Sequence, residues 1–374
     1  MTIEVKGINF SNQGAGMMLL AVQQRLGSRF DLAVPAQGDY ALRAPFGMKQ
    51  ILRRAGPLNL APFVRATPAR IRQRIGLVAE REIGGVLDAS GFAYGDQWGA
   101  AKVRERLFAA LDRRRRSRSP VILLPQALGP FTKPDLRQAF GRVVDEASLI
   151  FVRDEVSAGY LAETYGERPN IRRCPDFTIG LSGLADPRYA AYAGRPALVP
   201  NHMVVRDATP AERDRYVDLL AAGAREAGAQ GFGDPFLALH DPVQDAAIAD
   251  ALAERLGRVE RLGELRPQVM KAILGHASLV IGSRFHALVG ALSHGTPVVA
   301  FGWSHKYAEL LGDFGCPEAL VANDADPATV IALVRRIAAE REARAAALSA
   351  RAAALAAQVE SMWSAVATEL ETAR

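Results

Sequence analysis

"LVIGSRFHALVGALSHGTPVVAFGWSHKY", Leu279 to Tyr307, is almost wholly apolar and small, yet it carries Arg284, His286 and Lys306. Ionisable side chains are rarely buried without a partner, so these cations either sit at an edge of the fold or hold an anion. The stretch parses into alternating elements. Ser278 to Ile281 reads as a strand, Ser283 to Phe285 as a turn, and His286 to His294 as a helix stopped by Gly295, with Pro297 opening a second strand that runs to Phe301. Parallel strands joined by a helix exit on one carboxyl edge, where open α/β sheets bind ligands. Arg284 and His286 then fall at a helix N-terminus, which favours anions through its N–H groups and its dipole. Lys306 leaves the neighbouring strand on the same edge, so the three cations can converge on an anionic ligand.

The same alternation extends outward in both directions. Strands are expected at Ile3 to Ile8, Ile83 to Leu87, Val121 to Leu124 and Leu149 to Val152, and again at Ala197 to Val204 and Phe236 to Leu239, with helices such as Val103 to Leu111 and Pro134 to Ala147 between some of them. This is the pattern of an α/β fold with parallel sheets. "LSGLADPRYAAYAGRP" has linker composition, so the expected division is residues 1–182, residues 196–326, and a helical segment 327–374 rich in Ala, Arg and Glu. Residues 43–81 stand apart as a basic and apolar insert in which Glu80 is the only acid.

Length and composition exclude several classes. A chain of 374 residues, 49% hydrophobic and 23% charged, is a folded protein of about two domains rather than a disordered one. Its net charge of +6 suits anionic partners without choosing among them. Cys174 and Cys316 form no Cys-x-x-Cys pair, and no His-Glu-x-x-His spacing occurs, so neither a disulfide framework nor a metal is expected. The opening residues lack a basic stretch followed by an apolar run, and no run of 18 apolar residues follows, so the expected location is cytoplasmic. Gly14-Ala15-Gly16 lacks the third glycine of a dinucleotide fingerprint, and there is no Walker sequence.

The first half offers a matching edge. In "VRDEVSAGYL" Arg153 follows the strand, and Asp154 is placed to cap the helix beginning at Glu155. Gln126 leaves another strand in "VILLPQALGPF", and Asn12 and Gly14 lie where the first strand meets the first helix. Asn12, Gly14, Gln126 and Ser283 are therefore candidate substrate contacts, on loops that would line one cleft if two such domains face each other.

Together "GINFSNQGAGMML", "LPQALGPF", "VRDEVSAGYL", "CPDFTIGL", "VIGSRFHALVGALSHGTPVVAF" and "SHKY" resemble the polysaccharide pyruvyl transferases. The last block is the most specific, with Arg-x-His and a lysine twenty residues beyond the histidine. The resemblance implies a GT-B-like fold of two Rossmann-like domains facing across a cleft, the second on the donor side, and transfer of a pyruvyl group from phosphoenolpyruvate to sugar hydroxyls. It also implies that Arg153, His286 and Lys306 contact phosphoenolpyruvate and that Arg284 belongs to the same motif. Many members carry Gly-Asp-Glu after the first strand where this chain reads Gly14-Ala15-Gly16, so those carboxylates have no counterpart here.

Phosphoenolpyruvate is a substrate in this chemistry, and no cofactor is expected. The reaction needs an acid, a base and stabilisation of phosphate. His286 is the candidate acid or phosphate partner, Arg153 and Arg284 the anion clamps, and Lys306 the phosphate contact. Asp96, Glu155 and Asp176 are candidate bases. Two other classes compete: a nucleotide-sugar glycosyltransferase of the same fold, and a glycan-binding relative without catalysis. Retaining glycosyltransferases commonly carry paired Glu residues near the ribose, and none occurs between Arg266 and Tyr307. The expected acceptor is a sugar or a lipid-linked glycan, nucleic acid is not an expected partner, and the insert 43–81 is expected to touch anionic membrane.

Overall fold

The computed structural model describes residues 1–373 except 9–11, 37–39, 56, 265 and 303, and leaves aside the side chains of Leu42 and Ala55. The chain forms two compact units. The first comprises residues 1–11, 18–177 and 358–374, and the second residues 12–17 and 178–357.

The first unit is built on eight parallel strands: β1 (Thr2–Lys6), β2 (Asp31–Pro35), β3 (Lys49–Ile51), β4 (Leu77–Val78), β5 (Ile83–Asp88), β6 (Val121–Gln126), β7 (Leu149–Val152) and β8 (Ile171–Arg173). Their order is β8-β7-β6-β5-β1-β2-β3-β4, so the order reverses between β1 and β5. Every residue of β6 and β7 is buried, as expected of parallel strands covered on both faces. Helix α1 (Gln13–Leu26) follows β1. Two short helices, α2 (Ala61–Ala66) and α3 (Ala69–Arg74), link β3 to β4. Helix α4 (Pro134–Glu146) places Leu136, Phe140 and Val143 in the core, and α5 (Glu155–Tyr165) follows β7.

The second unit has six parallel strands: β9 (Pro196–Val199), β10 (Phe236–Ala238), β11 (Glu260–Leu262), β12 (Leu279–Gly282), β13 (Val298–Phe301) and β14 (Leu320–Val321). The order β11-β10-β9-β12-β13-β14 is that of a dinucleotide-binding Rossmann sheet, with its switch point between β9 and β12. Helices α6 (Pro210–Ala229) and α7 (Ala246–Leu256) cover one face through Tyr216, Leu220 and Ile248. Helices α8 (Pro267–Gly275), α9 (Phe285–Leu292) and α10 (Lys306–Asp313) cover the other through Met270, Leu288 and Leu311. Helix α11 (Pro327–Ala339) joins the first of these layers through Val330 and Val334, and α12 (Arg341–Thr372) adds Leu355 to the second.

Three sequence expectations change. The first unit ends at Phe177 rather than at residue 182, because the buried Lys271 ammonium of α8 donates to the carbonyls of Thr178 (2.5 Å) and Ile179 (3.4 Å) and holds them in the second unit. Residues 327–374 are not a separate segment. Helix α11 belongs to the second core, and α12 passes from the second unit into the first, where Trp363 meets Phe177 edge-on and Leu370 lies against Gly85 of β5. The insert 43–81 is in part sheet, contributing β3 and β4. These strands have three residues and two, too short to show as alternation.

Candidate functional site

Four strand exits meet on the carboxyl edge of the second sheet. Asn201 and His202 follow β9, His240 and Asp241 follow β10, Ser283 and Arg284 follow β12, and Ser304 to Lys306 follow β13. Arg284 is the N-cap of α9, and no side chain caps that helix. Its guanidinium grips Asp245, with Nε donating to Oδ2 (3.1 Å) and Nη2 to Oδ1 (2.5 Å). Asp245 is fully buried and also accepts from the backbone N–H of His202 (3.0 Å). Arg284 is thus not a bare clamp. Asp245 occupies the Nε and Nη2 edge of the fork, and among the described residues Nη1 has no hydrogen-bond partner.

Around this pair stand three histidines. His202 Nδ1 lies 3.4 Å from Arg284 Nη2 and 3.5 Å from Asp245 Oδ1. His240 is 3% exposed, and its Nε2 has no hydrogen-bond partner among the described residues. Burial, and then the charges of Arg284 and His286, push its pKa down to about 3, so it is neutral. His286 is half-buried in the first turn of α9. A methyl group on Gly14 would overlap its Nδ1, so the start of α1 closes over the imidazole only because residue 14 has no side chain. Phe285 lies between His286 and Lys306. Its ring centroid is 5.3 Å from that of His286 and 5.5 Å from Lys306 Nζ.

Below them, Ser283 is scaffold. Its hydroxyl bonds to the Tyr216 hydroxyl (2.6 Å), while its carbonyl accepts from Asn201 Nδ2 (2.9 Å) and from the Tyr307 hydroxyl (2.7 Å). The Ser283 side chain is fully buried by these partners and offers nothing to a substrate. Asn12 is likewise turned inward, accepting from Gly14 N at 2.9 Å to cap α1.

The remaining predicted residues belong to the first unit. Arg153, after β7, donates from Nη1 to Asp176 at 3.1 Å, and both are buried. Arg153 thus carries its counter-charge with it. Gln126 is fully buried beside Asp88 (3.5 Å), with its Oε1 lacking a hydrogen-bond partner among the described residues. Glu155 is exposed on α5 and paired with Arg173 at 3.0 Å. Asp96 accepts from Thr132 N (3.1 Å), Thr132 Oγ1 (2.5 Å) and Lys133 N (3.2 Å). Desolvation pushes its pKa up, but these bonds outweigh that and hold it below the usual carboxylate value. Each of the three candidate bases is thus engaged by a cation or by hydrogen bonds. Asp245, His202 and His240 escaped sequence reasoning, since nothing local ties residues 202, 240 and 245 to residue 284. Among the described residues no cluster of His, Cys, Asp and Glu is placed to hold a metal ion.

The profile of the polysaccharide pyruvyl transferases matches residues 37–305. The chain belongs to that family. No curated protein matches it. Among solved structures, Anabaena HepE in complex with UDP-glucose is similar over 100% of both chains at 17% identity, with a TM-score of 0.58. The Neisseria meningitidis UDP-GlcNAc 2-epimerase bound to UDP-GlcNAc is similar over 96% of this chain and 99% of that one, at 11% identity and a TM-score of 0.53. The spinosyn rhamnosyltransferase SpnG is similar over 99% and 100% at 16% identity, with a TM-score of 0.57. At these identities the likeness is one of fold, and the fold of this pyruvyl transferase family member is GT-B.

Proposed function

We propose that the protein moves the pyruvyl group of phosphoenolpyruvate onto two hydroxyls of one sugar, in a cell-surface polysaccharide or its lipid-linked precursor, releasing phosphate. It does so in the cytoplasm, against the inner face of the membrane. The observation that carries this reading is the set of polar groups on one sheet edge: the start of α9, the Nη1 edge of Arg284, the buried Nε2 of His240, without a partner among the described residues, His286, and Lys306 across Phe285. Such a set suits a compact ligand with a phosphate and a carboxylate close together.

The chemistry balances without a cofactor. A proton adds to the methylene carbon of phosphoenolpyruvate while one sugar hydroxyl forms a C–O bond to the central carbon and gives up its proton. The second hydroxyl then forms its own bond to that carbon as the carbon–phosphate oxygen bond breaks, and its proton leaves with the phosphate. His286 supplies the first proton. Lys306 and the N-terminus of α9 receive the charge that develops on the departing phosphate. His202, in the tautomer whose Nδ1–H faces Asp245 Oδ1 (3.5 Å), is the group on this edge that accepts the hydroxyl proton, through Nε2.

The test is phosphate release from phosphoenolpyruvate across a panel of free and lipid-linked sugars, run beside release of UDP from UDP-sugars. Acceptor-dependent phosphate release with mass gain of a pyruvate ketal supports the reading. Acceptor-dependent UDP release without it would assign the site to nucleotide sugars.

A further inference from the structure

Among the described residues, five of the eight large apolar side chains that stand exposed fall between residues 40 and 75: Tyr40, Leu58, Phe63, Ile71 and Ile75 join Trp98, Leu184 and Val243 in that set. Phe63 is 70% exposed and Ile75 64%. Helices α2 and α3 turn Val64 and Arg72 inward, and Arg72 is fixed there by the Thr67 carbonyl and Glu82. Ile71 and Ile75, four residues apart, share a face of the turn that is left outside. Interleaved with them are Arg65, Arg70 and Arg74, all exposed, and no acid occurs from Arg43 to Ala79.

The surface that charge alone suggested is thereby narrowed. Three of the insert's cations serve the fold: Lys49 pairs with Asp31 (2.9 Å), Arg53 grips the fully buried Glu4 (2.7 and 2.9 Å), and Arg72 holds Glu82. Arg65, Arg70 and Arg74, exposed and without an ion pair among the described residues, remain for something outside the chain.

We infer that residues 58–75 form a docking surface for an anionic lipid bilayer, with Phe63, Ile71 and Ile75 entering the headgroup boundary and the arginines resting on lipid phosphates. A second copy of the chain would set arginine against arginine, with no acid in the patch to offset them. A nucleic acid would satisfy the arginines but gain nothing from isoleucine and leucine, which cannot stack on bases. An anionic bilayer matches both halves of the patch. The inference rests on the proposed function only for why the enzyme should be there, since binding is read without donor or acceptor.

The test is co-sedimentation of the full chain with vesicles of phosphatidylglycerol and phosphatidylcholine, or of phosphatidylcholine alone, at low and high salt. Binding to the anionic vesicles that weakens with salt is expected. Arg65→Gln, Arg70→Gln and Arg74→Gln should each weaken it by about fivefold, and Phe63→Glu with Ile71→Glu should abolish it. All of these positions are exposed, so the variants should melt like the parent and keep turnover on a soluble acceptor. Equal binding to both vesicle types, unchanged binding by these variants, or a concentration-dependent dimer that Phe63→Glu dissolves would overturn the inference. Loss of vesicle binding with pyruvyl transfer intact, or the reverse, tells which of the two readings has failed.

Discussion

His240 has lost its water and stands in the field of Arg284 and His286, and both facts act in the same direction on its proton. In the unfolded chain the imidazole titrates near pH 6.5 and in the fold near 3, so below 6.5 the unfolded state binds a proton that the folded state refuses. Its contribution to stability is complete above pH 6.5 and is lost as the pH falls towards 3, at about 1.4 kcal/mol per pH unit. Urea melts of His240→Gln and the parent at pH 7.5 and pH 4.5 should therefore diverge, with the variant losing less on acidification. Gly14 makes a second claim at this scale. Gly14→Ala should push the His286 ring aside and lower turnover at least tenfold, whereas His286→Ala should lower it by roughly a hundredfold or more with little change in melting temperature. In the double variant the losses should fall well short of their product, because the methyl group then has no ring to displace. Additive losses would show that Gly14 does not act through His286.

At the level of elements, what could be read from the sequence was what neighbouring residues decide. Asp154 does cap α5, accepting from Ser157 N at 2.7 Å, and the strand–turn–helix–strand reading of residues 279–301 holds with shifts of a residue or two at its ends. Gly295, at φ +81°, stops the turn after α9 as its lack of a side chain allows. Partners brought in from afar stayed hidden. Arg284 reads as a cation awaiting an anion until Asp245, thirty-nine residues earlier in the chain, is seen to hold one edge of it. Strands of two or three residues such as β3, β4 and β14 left no period to detect. The Arg284–Asp245 pair carries its own prediction. Asp245→Ala leaves a buried guanidinium without its counter-charge and should cost about 3–5 kcal/mol in chemical denaturation. Arg284→Lys, which keeps the charge but not the fork, should weaken phosphoenolpyruvate binding more than it lowers stability. Titration calorimetry beside thermal melts separates the two effects.

At the scale of the molecule, the sequential order of the chain and the order in which its parts can be completed differ. The first unit draws its last seventeen residues, 358–374, from beyond the whole of the second unit. From these come Trp363 against Phe177, Leu370 against Gly85, and the ion pairs Arg25–Glu360 and Arg29–Glu371. On the ribosome, therefore, the amino-terminal unit is the one that must wait. Residues 178–357 can close into a finished core while the first unit still lacks a wall, and its apolar sheet face stays open to chaperones or to aggregation until α12 has emerged. A released chain ending at residue 357 should show a protease-resistant second unit and a degradable first one, and should be poorly soluble when purified. Translation speed over codons 341–374 then becomes a determinant of yield for a unit whose own strands were made long before.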